Sequence, residues 1–566
     1  MKSLRKLCLH AVLLLSLSVI TLSSWAQSDP TGESPVTRTY ALTNATVITK
    51  PGTELKETTV IIKDGLIQSV GKNASIPADA QVIDASKLYI YAAFIDGMSN
   101  TGAKRPENPE RPQNLFTPDP PNFYAGITPE NSVVDQLEVG NSGVGSLREV
   151  GFAISNVVPY GRMLPGSSAL ILLKDGAHPD DFIMKKDVAL FAQWVGAPGA
   201  YPGNILGIMA KWRNLYRNAV QDKRHAELYA QNPAGMPRPE NDRVSQAFFP
   251  VINKQKPVMF DVSSVLDVRR AMRLRDDLGF PLIVAGVEQS WELVDQLKAT
   301  STPIFLSLDV PDEPKPAEED DKSDEMKSLE DRRMEFYKIH VGQAAKLQAA
   351  GVNFGFAVGN VRANSIWKNL QVYVDNGLSA DAALAALTTN PASILGISQI
   401  TGTVEAGKLA NVLVTTAPLF TKDAKVKMMF VDGDKFEYEI KENTRGNRGA
   451  GNAGSNAAAT SSDPIVGTWS YVMETPQGEQ GGKMIIKREN GAYTGTLTSE
   501  DGSPDNVMNN VNFRDGELAF DFSVDAGGQS VEIVVVGAVT GKSYDAQASV
   551  AAFNVNIAFT ATKDDQ

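Results

Sequence analysis

Two stretches of the chain share a pattern of short apolar runs separated by tight turns. Residues 38–87 contain Val60-Ile61-Ile62 before Asp64-Gly65, and residues 403–439 contain Met428-Met429-Phe430-Val431 before Asp432-Gly433. Because glycine accepts the positive φ that a two-residue hairpin requires, both stretches are predicted to be β-strands joined by turns. We expect residues 27–92 and 403–442 to form one composite β-sandwich module.

Between these stretches, short apolar runs alternate with amphipathic helical patterns. This alternation is typical of a parallel sheet covered by helices, and about 300 residues of it favour one closed barrel. The sequence therefore predicts a (β/α)8 TIM-like barrel over residues 93–402, inserted in the β-sandwich module. Its strands are predicted at residues 93–97, 152–158, 257–261, 281–285, 303–308 and 353–358.

The last fifth of the chain has a different composition. Residues 443–463 contain no Leu, Ile, Val or Phe, so this segment cannot bury a core and is predicted to be a flexible linker. Residues 464–566 show many short strand patterns with turn signals such as Asn490-Gly491 and Asp501-Gly502. They predict a C-terminal antiparallel β-barrel-like domain.

The N-terminus has the three parts of a secretory signal peptide. Lys2, Arg5 and Lys6 precede an apolar run, and Ser24 and Ala26 are the small residues that a signal peptidase requires. We expect cleavage near Ala26, removal of residues 1–26, and a periplasmic or extracellular protein. No transmembrane segment is expected in the mature chain, because the apolar run is too short to span a membrane.

The net charge of the chain bears on the kind of molecule that it binds. The chain has 54 Lys+Arg against 66 Asp+Glu, a net charge of −12. A protein that binds a phosphate backbone needs an excess of basic residues. Nucleic acid is therefore excluded as the main partner.

Several motifs at the two ends of the barrel region resemble those of the amidohydrolase superfamily, and most resemble its imidazolonepropionase-like branch. At the N-terminal end they are Asn44-Ala45-Thr46-Val47, Ile62-Lys63-Asp64-Gly65-Leu66-Ile67, Val82-Ile83-Asp84-Ala85 and Phe94-Ile95-Asp96-Gly97. At the C-terminal end they are Asn390-Pro391-Ala392 and Gly402-Thr403-Val404-Glu405-Ala406-Gly407-Lys408. The resemblance covers residues 40–439.

The resemblance implies a metal-dependent hydrolase of carbon–nitrogen bonds other than peptide bonds, in which zinc or another divalent ion activates water. The positions at which it places the metal ligands are substituted here. Met98 and Asn100 stand at the His-x-His pair, Asp261 ends the fifth strand, and Asn360 stands at the last-strand aspartate. At the sixth strand, Ala285-Gly286 supplies no ligating side chain. We therefore expect no metal cofactor, and a pocket lined by Met98, Asn100, Asp261 and Asn360.

The number of histidines leads to the same expectation without an alignment. Once the signal peptide is removed, only His178, His225 and His340 remain, and none lies at a predicted strand end. The carboxylates Asp96, Asp261 and Asp309 end predicted strands, so they are an alternative set that could converge at the barrel mouth.

Three functional hypotheses follow. The leading one is an exported, catalytically degenerate binding protein, or pseudoenzyme, that binds a small molecule or forms a homo- or hetero-oligomer with an active relative. A second is an active hydrolase with an atypical carboxylate centre, in which Asp261 and Asn360 are the catalytic candidates. A third assigns ligand binding to the C-terminal domain, where Gly467-Thr468-Trp469 is similar to the Gly-x-Trp start of lipocalin-like barrels.

Overall fold

The computed structural model describes residues 38–106, 112, 114–315 and 323–440 of a first compact unit, residues 1–443. In a second unit, residues 444–566, it describes residues 464–475, 478–489, 492–499, 505–514, 517–525, 530–550 and 555–564. The predicted signal peptide and linker lie outside the described residues. Within the part described, no helix combines the length and apolar character that crossing a membrane requires.

The first unit begins with five strands that precede the barrel. They are β1 (Thr39–Lys50), β2 (Thr53–Lys63), β3 (Leu66–Gly71), β4 (Gln81–Asp84) and β5 (Tyr89–Ala92). β1 and β2 form an antiparallel pair, and β1 also pairs in parallel with β4 and β5.

The barrel itself is built mainly from parallel strands. The strands of this region are β6 (Phe94–Ser99), β7 (Phe152–Val157), β8 (Gly166–Ser167), β9 (Ala169–Leu172), β10 (Ile183–Lys185), β11 (Leu190–Gln193), β12 (Val258–Asp261), β13 (Leu282–Val287), β14 (Ile304–Ser307) and β15 (Phe354–Ala357). β10 pairs with β9 and lies beside the barrel. β11 to β15 pair in parallel in chain order, as do β6 and β7. A parallel bridge between Ser99 and Gly359 joins the two edges. All six strands predicted from the sequence coincide with strands of this barrel.

One position of the barrel differs from the all-parallel arrangement that the sequence predicts. β9 is antiparallel to β7, and β8 is antiparallel to β11, so the segment β8–β9 lies between β7 and β11 and runs against both. A Cβ atom at Gly166 would lie 2.5 Å from the carbonyl oxygen of Asn131. Glycine therefore lets this short strand approach its neighbouring loop.

Helices cover the outside of the barrel, and several of them begin at a residue whose side chain caps the first turn. The helix Val265–Leu278 is an example: the Ser264 side chain accepts a hydrogen bond from the backbone N–H of Asp267, and the helix ends at Gly279 with φ 81°. The helices are Asn122–Ala125, Ser142–Glu149, Ile205–Gln231, Arg243–Ala247, Phe249–Ile252, Val265–Leu278, Val294–Thr300, Asp324–Val341, Gln343–Ala350, Ala363–Asp375, Ala380–Leu387 and Thr389–Ile394, with 3-10 turns at Val133–Gln136 and Pro179–Asp181.

A single aromatic ring fills the centre of the barrel. Phe305 on β14 is fully buried. Cβ atoms added to Gly97 and Gly355 would lie 2.1 Å and 2.7 Å from its ring. The two glycines therefore provide the space for this ring, and the lumen is packed rather than open.

Three strands that follow the barrel complete the sheet that precedes it. β16 (Val412–Thr415), β17 (Val426–Val431) and β18 (Asp434–Glu437) extend it in the order β18-β17-β16-β5-β1-β2-β3, with β4 also paired to β1. The barrel is thus inserted between two strands, β5 and β16, that are hydrogen-bonded to each other. The result is one eight-stranded mixed sheet with its own apolar cluster.

The second unit is a closed antiparallel barrel of eight consecutive strands. Buried Trp469, Phe520, Tyr544 and Phe559 pack inside it. The Nε1–H of Trp469 donates to the carbonyl oxygen of Ile465 at 2.9 Å. The strands are β19 (Gly467–Thr475), β20 (Gly478–Glu489), β21 (Ala492–Ser499), β22 (Asn506–Arg514), β23 (Glu517–Asp525), β24 (Ser530–Thr540), β25 (Ser543–Val550) and β26 (Val555–Lys563).

Candidate binding site at the barrel mouth

A cavity of about 320 Å³ lies at the carboxyl ends of the barrel strands, where sites on this fold are built. Residues from the ends of β6, β11, β12, β13 and β14, and from the loops that follow β7 and β15, line it. All four positions predicted from the sequence, Met98, Asn100, Asp261 and Asn360, are among them. The structure therefore brings the predicted residues together, although it does not test their roles.

Asp261 is the carboxylate at the floor of the cavity. Burial, with a smaller contribution from the nearby charge of Glu288, raises the pKa of Asp261 to about 6. Burial and the charge of Asp309 likewise raise the pKa of Glu288. The three carboxylates come from the ends of β12, β13 and β14, which are neighbours in the sheet.

No ion pair or side-chain hydrogen bond to these three carboxylates occurs among the described residues. Among the described residues that line the cavity, Arg105 carries the one basic side chain. It lies over the ring of Tyr160, at 5.0 Å from the ring centroid. The Asp261, Glu288 and Asp309 side chains therefore form an acidic wall whose charges repel one another.

Neutral polar side chains and apolar side chains form most of the rest of the described lining. The Asn100 Nδ2–H donates to the carbonyl oxygen of Val158 at 2.7 Å. The Gln193 Nε2–H donates to the carbonyl oxygens of Gly161 and Arg162 at 2.7 and 2.8 Å. These bonds fix the side chains of the lining in place. A smaller space of about 260 Å³ adjoins the cavity and shares Asn100, Tyr160, Gly359, Asn360 and Val361 with it.

Asp96 is not among the described residues that line the cavity. The alternative set of Asp96, Asp261 and Asp309 is therefore wrong for Asp96, whereas Asp261 and Asp309 do converge there. Asp96 is fully buried. Its carboxylate accepts hydrogen bonds from the Ser155 hydroxyl at 2.6 Å and from the backbone N–H groups of Val358 at 2.8 Å and Met98 at 3.1 Å. Burial raises the pKa of Asp96. With its oxygens taken up by these donors, Asp96 is a structural group.

The residues at the cavity do not fit the zinc site that the resemblance implies. Met98 offers a thioether, Asn100 and Asn360 offer amides, and Gly286 offers no side chain, whereas zinc sites use imidazole, thiolate and carboxylate. Within the described residues, no group of three His, Cys, Asp or Glu side chains is arranged to hold a metal ion.

No histidine is among the described residues that line the cavity, although His340 lies next to one of them, Asp309. His178 precedes the 3-10 turn Pro179–Asp181, and His225 lies in the helix Ile205–Gln231. His340 is buried against the rings of Trp291 and Phe336. Burial lowers the pKa of His340, although the nearby Asp309 opposes this effect.

Three residues of the site were not anticipated from the sequence: Arg105, Tyr160 and Glu288. Arg105 and Tyr160 lie in loops that follow β6 and β7, where neither hydrophobic periodicity nor a motif fixes a position. Glu288 follows an irregularity in β13, where the register with β14 shifts between Val284 and Val287 and Gly286 adopts φ 70°. The only available signal was the acidic residue just beyond a predicted strand.

The mixed sheet, the barrel of mainly parallel strands and the cavity at its mouth define a TIM-barrel protein with a β-rich accessory module. Residues 337–435 match the model of the amidohydrolase family. The resemblance of the chain to the amidohydrolase superfamily is thereby confirmed. A comparison with curated proteins found no match.

The fold is similar to that of a solved amidohydrolase structure. An amidohydrolase from Thermotoga maritima MSB8 is 19% identical, with 70% of this chain and 100% of that chain covered and a TM-score of 0.57. A prolidase complexed with N-methylphosphonate-L-proline is 14% identical over 71% and 100% of the two chains, with a TM-score of 0.43. A putative prolidase from Bifidobacterium longum is 16% identical over 71% and 95%, with a TM-score of 0.38. At 19% identity, the similarity to the first structure shows a common fold and nothing more. The two prolidases, with TM-scores below 0.5, carry no argument about this chain.

Proposed function

We propose that this chain is an exported, catalytically degenerate amidohydrolase-like protein that binds a positively charged small molecule at the barrel mouth and does not hydrolyse it. The observation that supports the ligand class most directly is the acidic wall of Asp261, Glu288 and Asp309. Three carboxylates that have no cationic partner in the part of the chain that the structure describes favour a ligand that brings the compensating charge.

The loss of hydrolysis is inferred from the side chains at the ligand positions. In a metal-dependent hydrolase a divalent ion lowers the pKa of bound water and a carboxylate accepts the proton. Here, Met98 and Asn100 are poor ligands, and the Asn360 amide cannot accept a proton at neutral pH. The chain therefore has the cavity of a hydrolase without the groups that activate water.

A thermal-shift comparison tests this proposal on the full chain. Small alkyl amines and guanidines should raise Tm, whereas their uncharged alcohol or amide analogues of the same shape should not. No analogue should be turned over. Equal Tm shifts for the charged and neutral members of each pair would contradict the proposed ligand class, and turnover would contradict catalytic degeneracy.

An active hydrolase with a carboxylate centre is the second candidate, and one observation favours it. A carboxyl group with a pKa of about 6 is suited to act as a general base near neutral pH, and Asp261 lies beside a second carboxylate, Glu288. This candidate predicts hydrolysis of a small amide that persists in chelator and is abolished in Asp261→Asn. The absence of turnover across a panel of cyclic and acyclic amides would count against it.

Ligand binding by the second unit is the third candidate. Large buried side chains, including Trp469, Phe520 and Phe559, pack inside its barrel, whereas a ligand-binding barrel keeps part of its interior free. Removal of the chain after Lys441 separates the possibilities, because retained amine binding assigns the site to the first unit.

Export and partnership with an active relative remain predictions. Amino-terminal sequencing of the protein recovered from outside the cytoplasm should begin just after Ala26. Co-purification with a histidine-containing amidohydrolase would support the partner role, whereas a monomer without a bound partner would count against it.

A further inference from the structure

Three positions at which the resemblance places metal ligands meet at one point on the cavity floor. A Cβ atom added to Gly286 would lie 2.5 Å from Oδ1 of Asp261 and 3.1 Å from Cε of Met98. The Asp261 carboxylate and the Met98 methyl group therefore both pack against the bare backbone of Gly286. A side chain at position 286, histidine included, would clash with the Asp261 carboxylate and make a tight contact with the Met98 methyl group.

The backbone of Met98 is held from both sides. Its N–H donates to Oδ1 of Asp96 at 3.1 Å, and its carbonyl oxygen accepts the N–H of Gly359 at 2.9 Å. The side chain is 95% buried, at 5% exposure. The second of these bonds joins β6 to the loop after β15, so the backbone of Met98 is fixed at the closure of the barrel and its side chain starts from a defined position on the cavity floor.

We infer that the Met98 side chain occupies the place of the metal ion implied by the superfamily, and that Met98 and Gly286 are a matched pair in which the methionine fills the space left by the glycine. This inference rests on the proposed function in one respect, the loss of the metal. It goes further by assigning that loss to two residues of β6 and its loop, Met98 and Asn100.

The assignment implies that the site can be restored from one strand. Alternate residues of an extended segment point to the same side, so imidazoles at positions 98 and 100 would both face the cavity. With Asp261 they would supply three protein donors, which is the number found in catalytic zinc sites that keep one position for water. Asn100 is at present held by its bond to the carbonyl oxygen of Val158.

Titration of the full chain with cobalt(II), followed by visible d–d absorption, tests this inference without measuring activity. The wild type and the single variant Asn100→His should show no saturable band. The double variant Met98→His/Asn100→His should show a band that saturates near one equivalent. Addition of Asp261→Asn to the double variant should abolish the band.

Two outcomes would overturn the inference, and they can be told apart. If the double variant folds and neither it nor the wild type shows the band, the assignment to Met98 and Asn100 is wrong and the proposed function is unaffected. A stoichiometric band in the wild type that disappears in Asp261→Asn would overturn both.

A second measurement covers the case in which the double variant fails to fold. In protein labelled with 13C at the methionine methyl groups, Met98→Leu identifies the Met98 resonance. Asp261→Asn should then shift that resonance, whereas the methyl of Met473 in the second unit should stay in place. An unshifted Met98 methyl would show that the side chain does not lie against Asp261, and the inference would be wrong.

Discussion

The carboxylate of Asp96 accepts a hydrogen bond from the backbone N–H of Val358 at 2.8 Å, and this bond links the first and the last parallel strands of the barrel. The same carboxylate also accepts the Ser155 hydroxyl at 2.6 Å, across the pair β6–β7. One buried side chain therefore connects three strands at the closure of the barrel.

We expect Asp96→Ala to destabilise the first unit strongly, because two backbone N–H groups and one hydroxyl lose their buried acceptor. The loss in the free energy of unfolding should be roughly 3 kcal/mol or more. Asp96→Asn keeps one acceptor oxygen and should lose less. Urea unfolding followed by near-UV circular dichroism measures both. Asp84→Ala is the matched control and should leave the midpoint nearly unchanged, because the Asp84 carboxylate, which accepts hydrogen bonds from Ser86, is exposed.

We expect Gly97→Ala to disrupt the packing of the lumen, because its Cβ atom would lie 2.1 Å from the ring of Phe305. Overpacking of this kind costs about 3 kcal/mol. The double variant Gly97→Ala/Phe305→Leu should recover part of the loss, since the smaller side chain makes space. Gly71→Ala is the control, because no atom lies within 4 Å of its added Cβ. Equal losses at the two glycines would show that the ring does not fill the lumen.

The stability of the first unit should depend on the ionisation of Asp261. Its pKa is raised from an ordinary 3.8 to about 6, so the folded state holds the proton more tightly than the unfolded state. The stability contributed by the protonated group is complete below pH 3.8 and is lost as the pH rises through 6. A shift of about two units corresponds to roughly 3 kcal/mol.

Asp261→Asn removes this titration, and it should therefore be more stable than the wild type at pH 7.5 but not at pH 4. Chemical unfolding at several pH values measures the difference. Parallel curves for the two proteins would contradict the raised pKa.

Binding of an amine at the barrel mouth should strengthen between pH 5 and 7.5, because Asp261 ionises in this range while an alkyl amine, with a pKa near 10, stays charged. Asp261→Asn should weaken binding about tenfold, which is about 1.4 kcal/mol, and should remove most of the pH dependence. Glu288→Gln should weaken binding less, because Glu288 is less buried. Isothermal titration calorimetry measures these affinities.

Glu292→Gln is the matched control for these charge changes. Glu292 is exposed and paired with Arg269 at 3.5 Å on the outer surface. Its neutralisation should leave amine affinity unchanged. An equal loss in all three variants would indicate a general effect of net charge rather than a site.

Four strands that carry the site, β6, β12, β13 and β14, could be predicted because each is an apolar run bounded by turn residues. This pattern placed Asp261 at the end of β12 and Met98 at the end of β6, and the resemblance to the amidohydrolase superfamily implied that they share a cavity. β11, which also lines the cavity, was not predicted. The antiparallel segment β8–β9 could not be predicted in the same way. It is short, and its direction depends on tertiary pairing with β7 and β11, which leaves no periodic signal in the sequence.

The roles of individual carboxylates were harder to predict than their positions. Asp96 and Asp261 both end predicted apolar strands. Asp96 accepts hydrogen bonds from three donors in the core, whereas Asp261 faces the cavity and has no hydrogen-bond partner for its side chain among the described residues. The difference arises from the loop after β15, whose backbone N–H at Val358 reaches Asp96. Glu288 was missed because the local irregularity at Gly286 determines where the chain beyond β13 points.

The pairing of β5 with β16 has a consequence for the order in which the protein is made. The ribosome releases β1 to β5 first, and the partner that covers the outer edge of β5 emerges only after the whole barrel has been synthesised. Until then this edge has unpaired N–H and C=O groups that could join another strand, so a nascent chain that stalls within the barrel is the form most exposed to aggregation.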